Sequence, residues 1–177
     1  SLGGIAFYIT FILALYFNHQ FDIIPSITIA ILPGVTLMFF MGLKDDLVGS
    51  SPKIKFLGQI IACVFVLLHP SFKLETLHGF FGIETMPIWV SAPLTILIMI
   101  TIINSYNLID GIDGLAASIS TVALSCFAIC FFWTRDDFLA LTAIAMIGTL
   151  LGFLFFNLSE QRKIFMGDTG SLIIGFL

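Results

Sequence analysis

The chain has 177 residues, of which 59% are hydrophobic and only 10% charged, with a formal net charge of −4 and a mean hydropathy of +1.12. A soluble domain carries roughly a quarter charged residues, so an ordinary water-soluble globule is excluded and a membrane-embedded protein is indicated. No basic run suggests a nucleic-acid partner.

Apolar runs of membrane length predict an all-α, polytopic helical bundle of about six to seven spans, forming one membrane-embedded catalytic domain over residues 1–177. Spans are expected at 3–17, 23–43, 54–68, 88–103, 115–133 and 138–158, with a seventh beginning near Ser171. The first and third are short for a bilayer of about 30 Å at about 1.5 Å per residue. Asn18-His19-Gln20 and Arg135-Asp136-Asp137 read as tight polar turns. Residues 69–87 form the longest connection, and Gly79, Phe80, Phe81 and Gly82 suggest an interfacial hairpin or a short amphipathic piece. Cys63, Cys126 and Cys130 lie in apolar runs without ligand-type neighbours and are expected to be small packed core residues. The opening Ser-Leu-Gly-Gly lacks a basic n-region and a cleavage site, and the chain stops inside an apolar run. Both ends are therefore expected to be cut from a longer protein.

Alternating loops put Lys44, Lys53, Lys55, Arg162 and Lys163 on one face of the membrane, and Lys73 and Arg135 on the other. By the positive-inside rule the first face is cytoplasmic, within a cell (inner) membrane. Five of the eleven acidic residues gather on that same face, in three clusters. Ionised groups are costly in lipid and usually functional there, so grouped carboxylates at span ends suggest a divalent-metal and phosphate site.

The first cluster is Asp45-Asp46, followed by the turn-forming Leu47–Pro52. Adjacent carboxylates repel unless a cation or a shared proton offsets them, as in metal and acid–base sites; a solvated span end explains a bare pair equally well. Lys53 and Lys55 follow, as point charges for phosphate or as topology determinants. In the second cluster Asn104, Asn107, Asp110 and Asp113 recur every three residues, which on a helix or 3₁₀-like turn lines amides and carboxylates along one side. These oxygen ligands favour Mg²⁺ or Mn²⁺ over zinc. The third, Gly167-Asp168-Thr169-Gly170-Ser171, opens the last apolar segment, where Asp168 or Thr169 serves as an N-cap or joins an anion site at the helix start.

Together, Gly-Leu-Lys-Asp-Asp (42–46), Asn-Ser-Tyr-Asn-Leu-Ile-Asp-Gly-Ile-Asp-Gly-Leu-Ala (104–116) and Phe-Met-Gly-Asp-Thr-Gly-Ser-Leu (165–172) resemble the polyprenyl-phosphate N-acetylhexosamine-1-phosphate transferase family. The Ile-Asp-Gly-Ile-Asp-Gly form is more similar to the bacterial GlcNAc-1-phosphate branch than to the phospho-MurNAc-pentapeptide branch, the alternative. The resemblance implies transfer of an N-acetylhexosamine-1-phosphate from a UDP-N-acetylhexosamine to polyprenyl phosphate with release of UMP, and leaves a homodimer open. It implies that Asn107 and Asp168 hold Mg²⁺, that Phe165 stacks on uracil and that Asp113 reads its edge. Lys53 matches a lysine near the pyrophosphate, and Asn104 lies in the same substrate-binding stretch. Asp45 and Asp46 match an acidic pair of which one member activates the lipid phosphate, and Asp110 supports that nucleophile or the metal.

The chain departs from the family in three places. No basic residue precedes Gly3-Gly4, no third Asp follows the acidic pair, and the family's later His-bearing loop would fall beyond Leu177. The chain alone is accordingly expected to be inactive. A CDP-alcohol phosphotransferase is disfavoured because Gly114-Leu-Ala-Ala-Ser118 lacks that family's Arg. An ion-coupled transporter would place ionisable groups near the bilayer midplane rather than at span ends.

Overall fold

A computed structural model of the chain describes residues 3–20, 27–79, 82 and 84–177. Its helices are α1 (Gly3–Gln20), α2 (Ile27–Val48), α3 (Pro52–Leu67), α4 (Ile88–Ile109), α5 (Leu115–Thr134), α6 (Asp137–Asn157) and α7 (Gly167–Phe176), with a 3₁₀ turn at Pro70–Phe72 and no strand among the described residues. Helices α2, α4, α5 and α6 are long and apolar enough to cross a membrane. Many large apolar side chains face outward, among them Ile29, Val48, Trp89, Leu108, Trp133 and Phe155. In water such a surface would aggregate; in a bilayer it meets lipid.

The expected spans map closely onto these helices, with informative differences at their ends. Helix α2 continues through Lys44-Asp45-Asp46 to Val48, so the acidic pair belongs to its last turns; residues 23–26, the expected start of that span, lie outside the described residues. Helix α3 begins sharply because Ser51 caps it, accepting from the Ile54 N–H at 3.4 Å, and Pro52 sits in the first turn. Helix α4 runs six residues past its expected end, carrying Asn104 and Asn107 within it. Asn18-His19-Gln20 is the last turn of α1 rather than a loop, and the connection to α2 falls outside the described residues. Asp136 caps α6 through the Leu139 N–H, making the predicted turn after Arg135. In the long connection the Met86 N–H donates to the Glu75 carbonyl at 2.8 Å, while Phe80 and Phe81 lie outside the described residues. Cys63 is buried as expected, but Cys126 and Cys130 are exposed. They lie on the outer side of α5, whose main packing partner is α6.

Helix α7 is the centre of the bundle. It packs on α1, α2 and α4, and every residue from Thr169 to Phe176 is buried. Around it Phe7 of α1 meets Phe153 of α6 edge-to-face at 5.6 Å. Tyr8 stacks on Phe39 of α2 at 4.1 Å, and its hydroxyl lies 3.2 Å from Thr36 Oγ1. Two glycines admit the first turn of α7. A Cβ on Gly4 would fall 2.3 Å from the Gly170 nitrogen, and one on Gly42 would fall 2.4 Å from the Thr169 Cα. Both obstacles are backbone, so α1 and α2 grip the start of α7 at distances only glycine permits.

This grip predicts that Gly42→Ala costs about 2 kcal/mol or more, because the backbone cannot swing aside. Gly148→Ala, whose added methyl meets open space, is expected to be neutral or slightly stabilising through helix propensity. Thermal unfolding of the detergent-solubilised full-length protein checks both; equal midpoints for the two variants would refute the close approach.

Candidate active site

The ends of α2, α4 and α6, the beginnings of α3, α5 and α7, and the first turn of α1 meet at one end of the bundle, which brings the three acidic clusters together. The apolar N-cap residue of α7, Met166, offers no side-chain acceptor. Asp46 supplies it from α2: its Oδ1 accepts from the Asp168 N–H at 2.9 Å, and its Oδ2 from the Thr169 N–H at 3.2 Å and the Thr169 hydroxyl at 2.6 Å. A carboxylate against the free N–H groups and positive pole of a helix is favourable on both counts. Asp46 is thereby committed to the backbone start of α7, while its neighbour Asp45 lies beside the Asp168 carboxyl and Lys55.

Asp45 faces Lys55. The Lys55 ammonium donates to Asp45 Oδ2 at 2.7 Å and to Asp168 Oδ2 at 2.9 Å, so one cation joins α2, α3 and α7. Lys53 is exposed at the start of α3, away from this bridge. The difference follows from the helix face: Lys55 shares its side with buried Gln59, Ala62, Cys63 and Val66, and Lys53 does not. Gln59 could have signalled this, being an amide one turn after Lys55 in an otherwise apolar run.

The three-residue spacing of the second cluster divides its members between neighbours. Each step of three on an α-helix falls about 60° short of a full turn, so Asn104 and Asn107 point to different helices. Asn104 pairs with buried Gln59 of α3, donating to its Oε1 at 2.9 Å. Asn107 contacts Asp168 Oδ1 and lies 2.9 Å from Ser171 Oγ, both on α7. Asp110 caps the end of α4. Asp113 lies beyond the helix in the turn before α5, where it pairs with Lys163; the expected line of four along one side does not form. Phe165 is half exposed, with the Lys163 ammonium 5.4 Å from its ring centroid. Asn157, at the end of α6, bonds both the Gly114 N–H and the Ile164 carbonyl. No sequence signal beyond a lone amide in an apolar run marked it.

The donor set fits a hard divalent cation. Asp168 and Asn107 converge, and turning the Asn107 amide would present its oxygen where its nitrogen now stands. The Lys55 ammonium already sits between two carboxylates, as a cation-demanding position requires. Among the described residues no three His, Cys, Asp or Glu side chains close on one point. Mg²⁺ or Mn²⁺ would thus take its remaining ligands from phosphate oxygens and water, a common arrangement for Mg²⁺.

Burial pushes the Asp110 carboxyl up to about 6, the negative charges of Asp168, Asp46 and Asp113 adding to the effect and the Gly167 N–H opposing it. A carboxyl raised in the folded state costs stability once ionised. That cost is absent below the unfolded value of about 4 and fully present above the folded one. Asp110→Asn is therefore expected to stabilise chelator-treated protein at pH 8, by about 1 kcal/mol after allowance for partial exposure. At pH 4 the gain should vanish. Unfolding midpoints at the two pH values check this, and an equal gain at both would contradict it.

The chain is similar to known proteins over most of its length. The family model described as glycosyl transferase family 4 matches residues 28–177. A protein named probable undecaprenyl-phosphate N-acetylglucosaminyl 1-phosphate transferase, from Bacillus subtilis (strain 168), is 36% identical over 148 residues, which is 83% of this chain and 41% of that protein. Proteins named phospho-N-acetylmuramoyl-pentapeptide-transferase are 34% identical over 191 residues in Staphylococcus carnosus (strain TM300) and 38% identical over 196 in Staphylococcus saprophyticus subsp. saprophyticus; each match covers 99% of this chain and 59% of the relative. The chain thus spans about half the length of these relatives. It belongs to glycosyl transferase family 4.

Proposed function

We propose that the full-length protein transfers N-acetylhexosamine-1-phosphate, specifically GlcNAc-1-phosphate, from its UDP-linked donor to a polyprenyl phosphate such as undecaprenyl phosphate. The observation that carries this reading is the joining of Asp45, Lys55, Asp168 and Asn107 from four helices at one end of an apolar bundle. The similarity of the chain to a protein named probable undecaprenyl-phosphate N-acetylglucosaminyl 1-phosphate transferase supports it. An apolar groove of about 430 Å³ between α4, α5 and α7, lined by Met99, Ile102, Leu124, Phe127 and Ile174, reaches Tyr106 beside Asn107 and suits a polyprenyl tail.

In the reaction an oxygen of the lipid phosphate attacks the phosphorus that bears the sugar. A new P–O–P bond forms, the bond to the uridine-bearing phosphate breaks, and its electron pair leaves with UMP. Two anions must meet, so charge neutralisation and alignment carry the catalysis. Asp168 and Asn107 would hold Mg²⁺, which neutralises the pyrophosphate when bound. Lys55 adds a fixed positive charge between α2 and α7. Since both Asp46 oxygens are engaged by α7, Asp45 is the member of the pair left to hold the Lys55 ammonium in place for the lipid phosphate. A phosphate monoester is already largely dianionic at neutral pH, its second pKa being about 6, so Asp45 acts by position more than by basicity. Phe165 and Asp113 would receive the uracil.

The site end carries Lys44, Lys53, Lys55, Arg162 and Lys163, against Lys73 and Arg135 at the opposite end, which supports a cytoplasmic active site. The second reading, a phospho-MurNAc-pentapeptide transferase, is favoured by relatives so named that cover 99% of this chain.

Supplying the full-length protein with UDP-GlcNAc or UDP-MurNAc-pentapeptide separates the two readings: lipid-linked product from only the second donor would replace the first. With the accepted donor, Asp168→Ala and Asp45→Asn are each expected to lower turnover at least about a hundredfold; undiminished turnover in both would refute the site. Lys55→Met should cost at least about tenfold more than Lys53→Met, and the reverse order would restore Lys53 to the pyrophosphate.

A further inference from the structure

The last residue of α6 holds together the loop before α5 and the loop before α7. Asn157 is 5% exposed. Its Oδ1 accepts from the Gly114 N–H at 2.6 Å, and its Nδ2 donates to the Ile164 carbonyl at 2.8 Å. Gly114 directly follows Asp113, and Ile164 directly precedes Phe165. One planar carboxamide therefore sets the backbone beside both residues assigned to the nucleotide base. A carboxamide is suited to this place because it presents an acceptor and a donor from one short side chain.

A second link joins the same loops at the surface. Lys163 pairs with Asp113 there and lies over the Phe165 ring. With side chains 38% and 48% exposed, that pair is screened by solvent and holds the loops weakly. It must also yield if Asp113 is to receive a base edge. The Asn157 link is less exposed: its bond to the Gly114 N–H is buried and that to the Ile164 carbonyl part-buried, so its loss strands a buried N–H.

We infer that Asn157 is a positioning residue for nucleotide binding, holding Asp113 and Phe165 at the spacing that accepts the base. The inference rests on the reading that those two residues contact the nucleotide. It concerns binding rather than the transfer step, because the Asn157 bonds lie on the loop side of the site while Asp45, Lys55 and Asp168 are joined by separate contacts.

The test is saturation kinetics of the full-length protein with UDP-GlcNAc at saturating polyprenyl phosphate, together with inhibition by UMP. Asn157→Leu is expected to raise the KM for the nucleotide sugar about tenfold and to weaken UMP inhibition in parallel, with kcat within about twofold of the parent. Asn157→Asp retains the acceptor but loses the donor, so its effect should be smaller and in the same direction. That variant decides the matter should the leucine variant fail to fold. A rise in KM for Asp113→Asn with none for either Asn157 variant would overturn the inference and leave the nucleotide reading standing. A fall in kcat at unchanged KM would also overturn it. An unchanged KM in Asp113→Asn and Phe165→Ala would remove the reading and the inference together.

Discussion

The contact on which the site depends is the capping of α7 by Asp46. A helix in the middle of an apolar bundle starts with unpaired N–H groups, and the residue preceding α7, Met166, brings no side-chain acceptor. Asp46 reaches across from α2 and engages Asp168 and Thr169 through both carboxylate oxygens. Gly4 and Gly42 let the neighbouring helices close on the same turn. These contacts fix the backbone of Asp168, and the Asp168 side chain then faces Lys55 and Asn107. A local need, satisfying the start of one helix, thus builds the point at which four helices converge.

Charge explains why the convergence is poised for anionic substrates. Asp45, Asp46, Asp110 and Asp168 lie near one another with Lys55 as the cation joining two of them. Asp110 bears the consequence, its carboxyl held up to about 6 by burial and by its acidic neighbours. Such a surplus of negative charge in a half-buried place is unfavourable in isolation. It becomes reasonable where a divalent cation and phosphate oxygens complete the site. The same geometry separates roles: contacts from α2, α3, α4 and α7 surround Asp168, whereas Asp113, Lys163 and Phe165 form a distinct, more exposed side held by Asn157.

Much of this was legible in the residues. Apolar run lengths predicted the helices, and the alternation of loops placed the acidic clusters at one end, because both signals depend on composition over many positions. Motif resemblance implied that Asn107 and Asp168 share a metal ion, and their side chains lie in direct contact. What escaped depended on which way a single side chain points. The family resemblance singles out Lys53, but the buried face of α3 turns Lys55 inward. The regular spacing from Asn104 to Asp113 suggested one line of ligands, yet helical rotation sends Asn104 to Gln59 and Asn107 to α7, and the helix ends before Asp113. Asn157 offered no pattern at all, since its importance lies in two backbone groups distant in sequence. The packing expected of Cys126 and Cys130 failed because hydrophobicity in a membrane chain does not separate core from lipid-facing surface.

A double-mutant cycle between Asp46 and Thr169 tests the capping contact most directly, read as thermal stability of the full-length protein with Asp46→Ala, Thr169→Val and the pair. The Thr169 hydroxyl donates to Asp46 at 2.6 Å, so removing it should cost about 1 kcal/mol in the parent and close to nothing once Asp46 is gone. A coupling of that size is the predicted result. Additive effects, with Thr169→Val costing the same in either background, would contradict the account of how α7 is held.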